Sequence, residues 1–159
     1  MRLATITAAL LIASPALAQQ SLPPGPDGFK FLESSAISRL LANPQPGHVF
    51  GTARVSDHPD KGYYVEYVKR LDHGNEVEVH PAWIDQIAVI GGAGTLTIGG
   101  KVTNPRTGAG GEIRGDSQIG GVTRKLAVGD FILIPAGEPH KFVATPGKSL
   151  IYVIFKVRS

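Results

Sequence analysis

The sequence predicts an all-β protein, a sandwich or closed barrel, with one short helix ahead of it. Three observations point there. From Tyr63 onward the patterning shifts to a period of two; the segments so marked are short and separated by glycine-rich turns; and only one stretch carries a helical spacing. Many short alternating strands with little helix bury their apolar faces by stacking or closing a sheet.

The first 18 residues read as an export signal. Arg2 precedes a mostly apolar stretch from Leu3 to Ser14, and Ala16-Leu17-Ala18 supplies a small-x-small cleavage site before Gln19. That stretch is shorter than the ~20 residues a membrane span needs. No arginine pair precedes it, so the general secretory route is expected, to the periplasm or outside the cell. Removing 18 of 159 residues leaves 141, enough for one domain, and the loss of Arg2 lowers the net charge from +3 to +2. The basic residues are scattered, which argues against nucleic acid as a partner. There is no cysteine, so no disulfide framework is expected.

Gln19 to Gly28, rich in Pro and Gly, reads as an arm. Ser34 or Ser35 is placed to cap a helix over residues 35–42, on which Ile37, Leu40 and Leu41 share a face; Asn43-Pro44 ends it. Residues 19–60 are thus the N-terminal arm and residues 61–159 the β domain. Tyr63 to Lys69 is β-branched and aromatic, and Glu76 to His80 alternates strictly. Ile87–Ile90 and Thr95–Ile98 flank Gly91-Gly92-Ala93-Gly94, which reads as a hairpin. Residues 99–124 are glycine-rich, with one strand expected around Glu112-Ile113-Arg114. Phe131–Ile134 and Leu150–Val157 are apolar runs of the kind buried between two sheets.

Alternation places Glu76, Glu78 and His80 on one face of a strand and Val77 and Val79 on the other. Read alone, alternation favours the polar face turned to water, with the valines as core. Two longer patterns bear on the choice. Gly129, Pro135, Gly137 and His140 stand at the spacing Gly, five residues, Pro, one residue, Gly, two residues, His. This resembles the second motif of the cupin family. The stretch from Glu78 to Gly92 resembles the first cupin motif, His-x-His followed by Glu and then Gly. Here Glu78 stands at the first His, His80 matches the second, Asp85 replaces the Glu, and Gly92 matches the Gly. The resemblance covers roughly residues 60–157.

The resemblance implies a double-stranded β-helix, or jelly-roll barrel, with the polar face of the Glu78 strand turned inward. It further implies a divalent metal held by Glu78, His80, Asp85 and His140. Asp85 has an alternative as a turn cap, and Glu78 as a free general base beside a two-His, one-carboxylate triad. Imidazole and carboxylate donors suit Mn, Fe, Co, Ni or Zn, and no thiolate is present to select a softer ion. Glu112 and Arg114 are candidates for a proton carrier and an anion clamp at the barrel mouth, or for a solvated edge strand; Tyr64, Trp83 and Phe142 are candidates to line that mouth. His48, His58 and His73 read as loop residues.

For function, the resemblance implies an exported metal-dependent enzyme acting on a small oxygen-bearing molecule, of dioxygenase, decarboxylase, isomerase or lyase type. A non-catalytic module for a metal or small ligand, and a barrel whose metal site has decayed, are the alternatives. The expected partner is a small-molecule substrate or ligand. No membrane association is expected after signal cleavage, and a homodimer is left open.

Overall fold

The computed structural model describes residues 26, 29–42 and 51–159. The export signal, most of the Pro- and Gly-rich arm, the Asn43-Pro44 break and His48 lie outside the described residues.

One helix, α1 (Ser34–Ala42), precedes the strands. The Glu33 carbonyl accepts from the Ala36 and Ile37 amides at 2.9 and 3.1 Å, so Glu33, rather than Ser34 or Ser35, takes the N-cap place. Leu41 is buried and Ile37 half-buried, but Leu40 is 44% exposed. The packed face is therefore narrower than the three-residue face expected. A Cβ at Gly51 would lie 2.2 Å from the Leu41 carbonyl oxygen, so the helix end approaches the first strand where only glycine fits.

The strands are β1 (Gly51–His58), β2 (Tyr63–Arg70), β3 (Val77–Val79), β4 (Trp83–Gly92), β5 (Gly94–Ile98), β6 (Lys101–Thr103) and β7 (Arg106–Thr107). They continue as β8 (Ile113–Gly115), β9 (Ser117–Ile119), β10 (Val122–Leu126), β11 (Phe131–Ile134), β12 (His140–Ala144) and β13 (Leu150–Arg158). One sheet runs β1-β2-β13-β4-β11 and a second runs β10-β5-β12-β3-β8-β7, while β6 and β9 form a two-stranded ribbon. The pairs are antiparallel. Both large sheets feed one core: Val68, Ile87, Ile134 and Ile154 from the first, Leu96, Phe142 and Ala144 from the second. This is the all-β double-sheet barrel expected.

Several expectations are corrected. The barrel begins by Gly51 rather than residue 61, because β1 pairs with β2 along its length as the outer strand of the five-stranded sheet. The segments around Gly91–Gly94 do not form a hairpin. Strand β4 pairs with β13 and β11, whereas β5 pairs with β12 and β10, so the glycines carry the chain from one sheet to the other. Gly92 makes that corner at φ +72, where a Cβ would sit 1.8 Å from the Ser149 carbonyl oxygen. Residues 99–124 hold more than the single expected strand, because short ribbons leave little apolar periodicity to read. Strands β11 and β13 are apolar on both faces, yet only one face is buried: Phe131, Leu133 and Phe155 are exposed.

Candidate metal centre

Two rows of side chains, one on each sheet, build the site. Residues directly opposite in an antiparallel pair share a face. Across the six-stranded sheet His140 stands opposite Glu78, and Glu78 opposite Arg114. Across the five-stranded sheet Asp85 stands opposite Lys156, and Lys156 opposite Tyr64. Glu78, Asp85, His140 and Lys156 are all buried. His80, also buried, sits just past β3. Its carbonyl accepts from the Trp83 amide at 3.3 Å and the Gly137 amide at 3.0 Å, which ties the turn after His80 to the turn before His140. The inward sense of Glu78 and His80 is thus as expected. Glu76 is not with them: it is exposed and pairs with Arg106.

The two imidazoles converge. His140 donates its Nδ1 proton to the Glu138 carbonyl at 2.9 Å, and His80 donates its Nδ1 proton to Glu112 Oε2. Both partners are pure acceptors, so in the neutral rings Nε2 carries the lone pair. The two Nε2 atoms lie 3.5 Å (His80) and 3.7 Å (His140) from Asp85 Oδ2. His140 Nε2 is also 3.8 Å from Glu78 Oε2. Burial pushes the His140 pKa down to about 4, against the opposing pull of Glu78, so the ring is neutral near pH 7.

The carboxylates are already partnered. Arg70 Nη2 donates to Glu78 Oε2 at 2.7 Å, and Arg114 Nη1 donates to Glu78 Oε1. Burial alone would raise the Glu78 pKa, but Arg70 and then Arg114 hold it well below the usual carboxylate range. Arg70 Nε also donates to the Tyr152 hydroxyl at 3.0 Å. Lys156 Nζ stands 2.9 Å from Asp85 Oδ1. That contact lies outside hydrogen-bonding angles, and among the described residues neither atom has a hydrogen-bond partner. Burial would raise the Glu112 carboxyl as well, but its hydrogen bond to His80 and the charges around it keep it lowered.

These groups line a pocket of about 370 Å³, together with Arg54, Tyr64, Phe142 and Ile154. Trp83 does not line it, contrary to expectation; it packs edge-on against Tyr64 with ring centroids 5.2 Å apart. His58 closes β1 against Tyr63, and His73 is exposed and bonded to Asp72.

No protein-family model and no curated protein matches the sequence. Solved structures do match its fold. The polyketide cyclase RemF from Streptomyces resistomycificus gives a TM-score of 0.56 at 20% identity, over 82% of this chain and 81% of that one. A cupin-2 domain from Rhodospirillum rubrum gives 0.51 at 16% identity, over 88% and 77%. The fold is that of a small cupin. A predicted oxalate decarboxylase from Thermotoga maritima shares it, with a TM-score of 0.51 at 13% identity over 69% of this chain and 81% of that one. At these identities the likeness carries the fold and not the chemistry.

The donor set in this cupin-fold pocket suits a metal. Ligands about 2.0–2.2 Å from a tetrahedral ion stand about 3.3–3.6 Å apart, close to the 3.5 and 3.7 Å from Asp85 Oδ2 to the two Nε2 atoms. Glu78, His80 and His140 each offer a ligand atom, all within 4.8 Å of one another, and could hold an ion. Each imidazole is fixed from behind by an acceptor at Nδ1, the arrangement that orients metal-binding histidines. Glu112 and Arg114 line the pocket, each attached to a first-motif residue. Sequence reasoning missed Arg70 and Lys156. Their signal was in the alternation: Tyr64, Glu66, Val68 and Arg70 fall on one face of β2, and Leu150, Tyr152, Ile154 and Lys156 on one face of β13.

Proposed function

We propose that this chain is an exported, metal-dependent enzyme acting on a small oxygen-bearing molecule. The observation that carries the reading is the convergence of two imidazoles, each fixed at Nδ1, with their lone-pair nitrogens facing Asp85 and Glu78 in one buried pocket. His80, His140, Asp85 and Glu78 would hold Mn, Fe, Co, Ni or Zn. Such an ion supplies Lewis-acid polarisation of a substrate oxygen.

The surrounding residues have separable tasks. Glu112, half-exposed at the pocket and bonded to His80, is the carboxylate placed to move a proton. Burial raises the Tyr64 phenol above its ordinary range, so it stays protonated and can donate. Phe142 and Ile154 supply an apolar wall that excludes water. Two structures sharing the fold bear enzyme names, a cyclase and a predicted decarboxylase, which supports catalysis over storage. The reaction type stays open, since one fold hosts many chemistries.

One observation favours a second reading, a metal-free module for a small ligand: Arg70, Arg114 and Lys156 already counter the charges of Glu78 and Asp85. Elemental analysis of protein purified from the exported fraction separates the two. The enzyme reading expects a bound divalent metal in wild type and its loss in both His80→Ala and His140→Ala. Metal should also raise the melting temperature of wild type, since binding to the native state adds about 2.7 kcal/mol at a hundredfold excess over Kd. Unchanged metal content in both variants would overturn it. Glu78→Gln divides its two roles: a ligand loses metal affinity, a base keeps metal and loses turnover. Export predicts that intact-mass measurement finds residues 1–18 removed.

A further inference from the structure

Lys156 is the odd group in the pocket. It is 4% exposed. Its ammonium has three N–H donors, yet its one charged contact, to Asp85, lies outside hydrogen-bonding geometry, and no other described group accepts from it. Leaving such donors unsatisfied in a buried setting costs stability, and they point into a pocket that a ligand could enter. A second cation reaches the same space from the opposite sheet. Arg114 directs Nη1 to Glu78 while its side chain stays 33% exposed at the pocket. Lys156 stands on Asp85 and Arg114 on Glu78, and both carboxylates lie within 3.8 Å of His140 Nε2, so the two cations flank the imidazoles from opposite sheets.

The charge count points the same way. Four basic and four acidic side chains line the pocket. Neutral with neutral imidazoles, it becomes doubly positive once a divalent ion is added. A buried excess of that kind is costly until a negative group balances it. At about 370 Å³ the pocket is near the lower end of small-molecule sites, which limits the ligand to a few carbons.

We propose that the ligand is a small organic anion, whose carboxylate is bound by Lys156 Nζ together with the Arg114 guanidinium. The inference rests on the metal-loaded reading above and adds the substrate class. Arg114 offers a planar donor fork and Lys156 a point charge, so one carboxylate can bridge the two sheets.

Calorimetric titration of the Co²⁺-loaded protein tests this, with malonate as probe, malonamide as its neutral counterpart and sulfate as an inorganic dianion. Cobalt content is measured in each sample. Malonate is expected to bind wild type, malonamide not to bind, and sulfate to bind more weakly than malonate. Lys156→Met should retain cobalt and bind malonate about tenfold or more weakly, with Lys156→Arg between the two. If Lys156→Met fails to fold, Arg114→Gln carries the test with the same expected loss, because Glu78 keeps Arg70. Cobalt-loaded wild type that ignores malonate overturns the proposal and leaves the metal reading standing. So does equal binding of malonate and malonamide, sulfate binding as tight as malonate, or wild-type affinity in a folded cationic-site variant. Protein that takes up no cobalt overturns the metal reading and this inference with it.

Discussion

The two rows that face each other across the pocket hold their carboxylates differently. On the six-stranded sheet, Glu78 accepts from two guanidiniums, one on each oxygen. On the five-stranded sheet, Asp85 Oδ1 meets the Lys156 ammonium at 2.9 Å, and among the described residues neither atom has a hydrogen bond. A buried carboxylate with charge-assisted hydrogen bonds on both oxygens is fixed in place. One paired by proximity alone keeps lone-pair capacity for another cation. Within the proposed ligand set, Glu78 is therefore the carboxylate held more firmly by protein donors, and Asp85 the one with more lone-pair capacity left for an ion.

The largest effect that would break this contrast is Arg70→Ala. It removes the more buried partner of Glu78 and also the partner of the Tyr152 hydroxyl, and should cost about 3–5 kcal/mol in denaturant unfolding. A loss under about 1 kcal/mol would show that Glu78 is not held as described. Acidification comes next. In metal-free protein burial pushes the His140 imidazole down to about 4, from its ordinary value of about 6.5. As pH falls, the unfolded chain therefore takes up this proton first. Stability from this group is complete above about 6.5 and lost progressively towards about 4, by up to about 3 kcal/mol. Glu78, held below its ordinary range, adds a loss in the same direction at lower pH. Thermal melts across that window should fall steadily, and a flat profile would count against a neutral buried His140.

Lys156→Met should be milder, about 1–2 kcal/mol in metal-free protein, because removing an ammonium that itself lacks hydrogen bonds offsets part of the cost of leaving Asp85 without its cation. With metal bound the cost should shrink, since the ion then balances Asp85; an equal cost with and without metal would argue that the ion does not reach Asp85. The smallest effect is expected outside the barrel. Phe131→Ser, on the exposed face of β11, should change stability by no more than about 0.5 kcal/mol. A larger loss would mean that this face is covered in solution.

Much of this was legible in the chain. Period two over β2 and β3, and the spacings around His80 and His140, are local properties, and a local pattern survives in sequence because adjacent residues must alternate in any strand. For the same reason alternation placed Glu78 and His80 on one face. It could not choose which face was buried at β11 or β13, where both sides are apolar, nor show that Glu76 would turn to Arg106 at the surface. It also misjudged Gly91–Gly94, because the same glycines suit a tight hairpin and a crossing between sheets.

The all-β class, most of the long strands and the two motif positions that mark His80 and His140 were legible in the chain. The partners of each charged group were set by folding: Arg70 and Arg114 on Glu78, Lys156 on Asp85, Glu112 on His80. Those pairings join β2 to β3, β13 to β4 and the stretch before β8 to the turn after β3. Their register follows from how two sheets settle on a shared core. Coulomb energy depends on distance in space, and the local patterns of a chain record distance along the backbone alone.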